Sequence, residues 1–292
     1  MNGRPVARRS RTPLPGRRTR PVRRASAGLS AVRAGAALAM LVSAAAIYGV
    51  GASSAFAYTR LQLNGLTFTD QNAVEAAIAS ARDRNLFGLS TTPLVAALES
   101  MPTVESARVQ VQLPGTLAVT IAERVPVLIW QAGTDRYLVD ANGTLFSKLA
   151  ATPPAAAARL PVIDDRRARS LLLEVGGQLD PVDLDAATRL ASLVPADIGS
   201  SAVSLAVSAS DENGFVVSAK PGGWSAVFGF YTPSLRTTEL IPEQVRVLRS
   251  LLAGREAQVD KVILASATDG TYTPRATASG SAKGSPKPSK AP

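Results

Sequence analysis

The 292-residue sequence contains no cysteine and no histidine. Without cysteine, no disulfide bond can stabilise the chain and no thiolate can act as a nucleophile. Without histidine, the chain lacks the commonest general base and metal ligand, and the Ser-His and Cys-His catalytic pairs are excluded. These two absences direct the question of function toward binding and away from chemistry.

The remaining routes to catalysis also lack a recognisable pattern. A serine nucleophile could use a lysine as its base. However, none of the three lysines between residues 60 and 275 (Lys148, Lys220 and Lys261) lies in a Ser-x-x-Lys motif. The Asp-Asp-Arg-Arg run at residues 164–167 favours a charged surface loop over a pair of glycosidase carboxylates. No glycine-rich phosphate loop or metal motif is present. We therefore predict that the protein is not an enzyme and has no cofactor.

Acidic residues are absent from the whole N-terminal region before Asp70. Ten arginines lie between Arg4 and Arg33, and an uncharged stretch of 26 residues follows from Ala34 to Thr59. At about 1.5 Å per helical residue, such a stretch can cross a hydrocarbon layer of about 30 Å. Arginine-rich flanks remain on the cytoplasmic side. The pattern predicts a single membrane-spanning helix at 34–59, with a cytoplasmic N-terminus and an extracytoplasmic remainder.

The basic charge of the chain is confined to its first 33 residues. The formal net charge is +10, and the 22 Lys and Arg after residue 33 balance the 22 Asp and Glu. The folded part therefore gives no charge argument for nucleic-acid binding. Residues 1–33 are predicted to be a disordered basic cytoplasmic tail, and residues 276–292, which lack large apolar side chains, a second disordered tail.

The end of the uncharged stretch leaves an alternative open. Ala55-Phe56-Ala57 is an A-x-A pattern that a signal peptidase could cut before Tyr58. Cleavage would give a secreted envelope-binding module, used in export or envelope assembly. The stretch is longer than the apolar region of an ordinary signal peptide, which favours a retained anchor.

Residues 60–125 are predicted to form a β-α-α-β-β domain. Leu61 to Leu63 alternates as a short strand, and Asp70 can cap the helix that follows. Ser90 or Thr91 can cap a second helix with Pro93 in its first turn. Two alternating strands then flank Pro114-Gly115, which is typical of a hairpin. This order of elements is that of a POTRA domain.

Residues 126–275 are predicted to form a mostly antiparallel β domain with inserted helices. Asp183 can cap one helix, and apolar residues at helical spacing indicate another at 241–252. Glycine and proline separate short alternating stretches, as in a β domain. The predicted strands cover 127–130, 136–139, 203–207, 215–219, 224–230 and, as the last, 262–264.

Several short motifs, in order, carry a resemblance to a known family. Leu86-Phe87 follows the first helix, and Glu123-Arg124-Val125-Pro126 follows the hairpin. Trp130 and then Tyr137-Leu138-Val139-Asp140, with Gly143 and Phe146, complete the progression. From about Ala34 to Arg275 the sequence resembles the FtsQ/DivIB family of bacterial division proteins.

The resemblance implies a non-catalytic scaffold in the cell membrane at the division septum. FtsB- and FtsL-like proteins would bind the C-terminal β domain, other division proteins would bind the POTRA domain, and septal peptidoglycan synthesis would be the controlled process. We expect the last strand to lie at a sheet edge, where a partner can add a strand. The candidate partner-binding residues are Val262, Ile263, Leu264, Ala265, Ser266 and Tyr272.

A second set of candidate residues lies between the two predicted domains. Glu123 and Arg124 end one domain, and Pro126 fixes the direction in which the chain leaves it. We predict that these three residues have a structural role at the domain joint. Asp140 with Asn142-Gly143 indicates a hairpin turn and not a metal site.

Overall fold

The computed structural model describes residues 31–150 and 153–276, and the chain divides into two compact units after Ala52. Within the described part, the first unit is a single helix, α1, from Ala31 to Ala52. It has 22 residues, and an 18-residue window within it has a mean hydropathy of 1.8, so the helix is long and apolar enough to span a membrane. The predicted tails lie outside the described residues, apart from 31–33, which begin α1, and residue 276.

Helix α1 is shifted relative to the uncharged stretch at 34–59. It begins three residues earlier and includes Arg33. After Ala52 the chain forms a separate 3-10 turn at Ser54–Phe56, because the Ser53 hydroxyl accepts the Ala55 N–H at 3.0 Å. The last residues of the uncharged stretch therefore belong to the second unit.

The second unit begins with the predicted β-α-α-β-β arrangement, which is confirmed. Its central strand β3 pairs in parallel with β1 and antiparallel with β2, giving the sheet order β1-β3-β2. The elements are β1 (Arg60–Asn64), α2 (Gln71–Ala77), α3 (Thr92–Glu99), β2 (Val104–Gln112) and β3 (Thr116–Glu123).

The two helices of this arrangement cover one face of the three-stranded sheet. Asp70 caps α2, as predicted, by accepting the Asn72 N–H at 3.1 Å. Thr91 precedes α3, and Pro93 lies in its first turn. Both helices turn their apolar sides to the sheet and form one core, which includes Val74, Ile78, Leu94, Leu98, Leu117 and Val119.

The chain then enters a nine-stranded sheet. Its spatial order is β12-β11-β10-β9-β8-β7-β4-β5-β6, and five of its eight strand pairs are antiparallel. The mostly antiparallel arrangement with inserted helices is confirmed. The strands are β4 (Pro126–Ala132), β5 (Asp135–Asp140), β6 (Leu145–Lys148), β7 (Val162–Asp165), β8 (Ser204–Ser210), β9 (Gly214–Lys220), β10 (Ser225–Gly229), β11 (Val259–Leu264) and β12 (Gly270–Pro274), and the helices are α4 (Pro181–Ala191) and α5 (Ile241–Leu252).

Helices α4 and α5 contribute apolar residues to the core of the nine-stranded sheet. Leu190 and Leu248 are fully buried there with Trp130, Phe215 and Trp224. Burial of side chains of this size supplies the main stabilising free energy of such a domain.

The predicted cap of α4 is wrong by three residues. Asp180, not Asp183, is the N-cap, and its carboxylate accepts the Val182 N–H at 2.8 Å. The helix starts here because Pro181 occupies its first turn, where a missing N–H is tolerated.

The predicted charged loop at residues 164–167 is also wrong. Its first half belongs to β7, and Asp165 and Arg167 are only 1% and 4% exposed. The Arg167 guanidinium pairs with Asp165 at 2.7 Å and with Asp183 at 2.9 Å. It also lies 5.9 Å from the centre of the Trp130 ring. Alternation along an extended chain places Asp165 and Arg167 on the inner face and leaves Asp164 on the outer one.

The expected edge position of β11 is wrong. A further strand, β12, pairs antiparallel with β11, with Ile263 opposite Thr271. On its other side β11 pairs in parallel with β10. The sheet therefore ends at β12 among the residues described, and β11 lies inside it.

Candidate partner-binding edge and domain joint

The predicted partner-binding residues of β11 lie in three different environments. Val262 and Leu264 are buried in the core, whereas Ile263 is 45% exposed on the opposite face of the sheet. Ala265 and Ser266 lie beyond the strand, in the turn that leads to β12. The structure therefore brings these residues into one segment but not onto one surface.

Tyr272 lies on β12, directly opposite Val262. Opposite residues of an antiparallel pair point to the same face, so the Tyr272 ring lies on the face that α5 covers. The Arg255 guanidinium, just beyond α5, lies 5.7 Å from the centre of the ring. Tyr272 remains 40% exposed, so part of its ring is available to a partner.

The outer backbone of β12 is the main feature of this edge. The Ala265 N–H donates to the Asp269 carbonyl at 3.0 Å, which sets the alternation of hydrogen bonds along the β11–β12 pair. In that alternation Ile263 and Thr271 exchange backbone hydrogen bonds. The neighbouring pair, Val262 and Tyr272, does not. The N–H and C=O of Tyr272 consequently point away from β11, toward the open side of the sheet.

Two residues that the sequence analysis missed support the end of β11. Arg236 donates to the carbonyls of Leu264 at 2.9 Å and Ala265 at 2.6 Å. Gln244, fully buried on α5, donates to the Leu264 carbonyl at 3.2 Å. No motif or spacing marks either residue, because both act on backbone atoms of a distant segment. Together they hold the turn that carries Ala265 and Ser266.

Glu123 ties the end of β3 to the loop between β1 and α2. Its carboxylate accepts the backbone N–H groups of Thr67, Phe68 and Thr69 at 2.7–3.0 Å. Burial alone would raise the pKa of Glu123, but these hydrogen bonds favour the charged form and lower the pKa below its ordinary value. The ionised carboxylate thus holds this loop at neutral pH.

Arg124 ties the same point to the nine-stranded sheet. Its guanidinium donates to the Pro102 carbonyl at 2.9 Å and to the Asp140 carboxylate at 2.7 Å. Asp140 in turn accepts the Asn142 and Thr144 N–H groups and so holds the β5–β6 turn. Pro126 begins β4 opposite Asp140. The three predicted joint residues therefore lie where the chain passes from one sheet to the other.

Among residues 31–150 and 153–276, no group of three or more acidic side chains is arranged to hold a metal ion. A densely charged cluster around Arg167 is buried and internally paired. Asp165 accepts the Trp130 indole N–H at 3.1 Å and the Ser170 hydroxyl. Burial would raise the pKa of Asp165, but the hydrogen bonds from Arg167 and Ser170 lower it below its ordinary value. Such a cluster stabilises a charge and offers no free nucleophile.

The first domain matches a known family. Residues 56–124 match the family model described as POTRA domain, FtsQ-type. The chain contains an FtsQ-type POTRA domain. The resemblance drawn from the sequence motifs is confirmed for this part of the chain, and the match ends at Arg124, between the two sheets.

Known relatives extend the similarity beyond the FtsQ-type POTRA domain. The cell division protein FtsQ of Chloroflexus aurantiacus is 32% identical over 172 residues, which are 59% of this chain and 61% of that protein. The FtsQ of Mycobacteroides abscessus is 32% identical over 130 residues, 42% and 41% of the two chains. That of Mycolicibacterium smegmatis is 34% identical over 104 residues, 36% and 30% of the two chains. The chain thus matches about three fifths, or less, of each of these relatives.

Proposed function

We propose that the chain is a membrane-anchored division protein that works by binding other proteins and catalyses no reaction of its own. The nine-stranded sheet would bind FtsB- or FtsL-like proteins, and the POTRA domain other division proteins. At the septum, the assembly would help to control peptidoglycan synthesis. The observation that carries the proposal is the open edge of β12, in a chain similar to proteins named cell division protein FtsQ.

The contact is proposed to be strand addition at β12. A partner strand would pair with the outward N–H and C=O of Tyr272, and its side chains would meet Tyr272 on one face and Thr271 on the other. Ile263, exposed beside Thr271, would extend the second contact. The predicted β11 residues then act mainly by supporting β12, with Arg236 and Gln244 holding the end of β11.

In this function the anchor would lie in the membrane and both folded domains outside the cytoplasm. The arginines before α1 support this orientation, because basic flanks usually stay on the cytoplasmic side. Ala55 and Phe56 lie in the 3-10 turn Ser54–Phe56, and Ala57 pairs with Asn85 of the POTRA domain. Cleavage before Tyr58 would remove Ser53, Phe56 and Ala57, which contact Asn85 and Phe87 of the POTRA domain, so these contacts favour retention of the anchor over the secreted alternative.

The test compares two substitutions at one position in the full-length, membrane-extracted chain. Tyr272→Ala removes the ring but keeps the backbone N–H, whereas Tyr272→Pro removes both. Proline is tolerated at an edge strand where the N–H faces outward. We expect the Ala variant to capture FtsB- and FtsL-like proteins and the Pro variant to lose them, with the free energy of unfolding of both within about 1 kcal/mol of the wild type.

Mass spectrometry of the captured proteins and of the intact chain provides the readout. Equal capture by the two variants would contradict strand addition, and equal loss would assign binding to the ring. A mature chain that begins at Tyr58 and recovers no division proteins would replace the proposal with the secreted envelope module.

A further inference from the structure

Two phenylalanine rings, the half-buried Phe56 and the exposed Phe87, form an apolar pair at the surface of the POTRA domain. The Phe56 and Phe87 ring centres are 6.2 Å apart, and the planes are tilted by 54°. Phe87 is 59% exposed, and neither ring belongs to the core of its sheet. An aromatic pair left at the surface, when the core beneath it is complete, is a feature of interaction surfaces.

The pair is held by specific hydrogen bonds. The Asn85 side chain accepts the Phe87 N–H at 2.8 Å and donates to the Ser53 carbonyl at 3.0 Å. The Tyr58 N–H donates to the Arg84 carbonyl at 3.2 Å. Segments 53–58 and 84–87 are therefore joined by their backbones, and both rings are presented on folded structure.

The position of the pair along the chain points to a lipid surface. Helix α1 ends at Ala52, and Phe56 follows four residues later. Four residues reach at most about 14 Å even when fully extended. The polar interface of a bilayer is about 5 to 8 Å deep on each side of the hydrocarbon. When α1 spans the membrane, Phe56 cannot be far from that interface.

The charged residues next to the pair along the chain are mostly positive. Arg60, Arg82 and Arg84 are exposed, and the acidic residues among them are Asp83 and Glu75, the latter 3.9 Å from Arg82. The local balance of three arginines against two carboxylates favours an anionic surface. Aromatic rings flanked by arginine are typical of segments that lie at a membrane interface.

We propose that the Phe56–Phe87 pair inserts into the interface of the membrane that α1 crosses and binds anionic phospholipid there. The domain would then have a second attachment to the membrane besides its helix. This inference rests on the proposed retention of the anchor. Lipid is the proposed ligand of the Phe56–Phe87 pair. The experiment distinguishes lipid from a partner protein bound at the same surface.

The absence of cysteine makes a site-specific test direct. Gly88 is exposed, and a side chain added there meets open space. A spin label on Gly88→Cys would report the surroundings of the pair in the full chain, reconstituted in nanodiscs of phosphatidylglycerol or of phosphatidylcholine. A label on Val203→Cys, at an 82% exposed position of the other domain, is the control.

We expect the label at residue 88 to be severalfold less accessible to a water-soluble nickel chelate than the label at 203, and more accessible to oxygen. Phe87→Ser should abolish this difference, whereas Phe230→Ser, at another exposed phenylalanine, should not. Arg84→Glu should weaken the protection in phosphatidylglycerol but not in phosphatidylcholine.

Equal nickel accessibility of the two labels in inserted protein would overturn the inference. Protection that appears only after division proteins are added would also overturn it, because it would assign the surface to a protein partner. Co-elution of the chain with the nanodisc monitors the anchor separately. A chain that does not insert would contradict the proposed function itself.

Discussion

The two outer strands of the nine-stranded sheet end it in opposite ways. At one end the chain itself covers β6, because Leu145 exchanges backbone hydrogen bonds of 2.8 and 2.9 Å with Gly176 and Gly177. Leu145 and Phe146 are fully buried. At the other end every residue of β12 after Gly270 is exposed, and no strand follows among the described residues.

This difference separates an edge used for stability from an edge suited to binding. An open edge invites pairing with other chains, and folded proteins usually cover it or keep it short. One of these edges is covered by a loop, and the other is kept to five residues that end in Pro274. The comparison predicts that substitutions at β6 affect folding, whereas substitutions at β12 affect binding.

The largest expected effect comes from the covered edge. Phe146→Ala removes a fully buried ring that packs edge-on against Phe68 of the POTRA domain, with centres 5.7 Å apart. We expect the free energy of unfolding to fall by about 3 to 5 kcal/mol, as for other buried phenylalanines. Urea unfolding of the detergent-solubilised chain, followed by the fluorescence of its buried tryptophans, measures this. A loss below about 1 kcal/mol would mean that this edge is not part of the folded core.

A smaller, pH-dependent effect is expected from Glu256, which lies between α5 and β11. Burial would raise its pKa, but hydrogen bonds from the Ser200 hydroxyl, the Ser201 N–H and the Trp224 indole lower the pKa to about 2. A carboxyl pKa that is lower in the folded state stabilises the protein at pH values above the ordinary carboxyl pKa. This stabilisation is lost as the pH falls toward 2.

The Glu256→Gln variant should therefore be less stable than the wild type at pH 7, and the difference should shrink between pH 4.5 and about 2. Ser201→Ala removes only the Ser201 hydroxyl, which donates to the Glu256 carboxylate at 2.8 Å, and should show an intermediate pH profile. Thermal unfolding across this range provides the measurement. Parallel curves for the wild type and the Gln variant would exclude a stabilising role for the charge.

The smallest effect on stability is expected at the open edge. Tyr272→Ala shortens a 40% exposed side chain and loses the contact with the Arg255 guanidinium. We expect the free energy of unfolding to change by less than about 1 kcal/mol. The same urea experiment measures it beside Phe146→Ala. Equal decreases in the free energy of unfolding for Tyr272→Ala and Phe146→Ala would contradict the distinction between the two edges.

Residues of the POTRA domain could be placed from the sequence because several local signals agree there. The Asp70 cap, the proline in the first turn of α3 and the alternation along β2 and β3 all indicate the observed elements. Glu123 and Arg124 could also be singled out, but not their partners. Those lie 54 to 56 and 16 to 22 residues away along the chain, and no local pattern encodes such contacts.

Strand β12 could not be predicted for a physical reason. Its sequence, Gly-Thr-Tyr-Thr-Pro, has no apolar alternation because neither face of an exposed edge strand needs to be buried. Strand β7 was missed for the opposite reason. It buries Asp165 beside Arg167, and charged residues in a row read as solvent-exposed. Both errors occur where tertiary pairing overrides local composition.

The joint at Glu123 and Arg124 has a mechanical consequence. Only two residues separate β3 from β4, and two adjacent side chains bind in opposite directions, to the loop at Thr67–Thr69 and to Asp140. No slack chain is available to absorb a load at this point. A force applied by a partner at the sheet would reach the POTRA domain through these bonds, and the joint would behave as a stiff coupling rather than a tether.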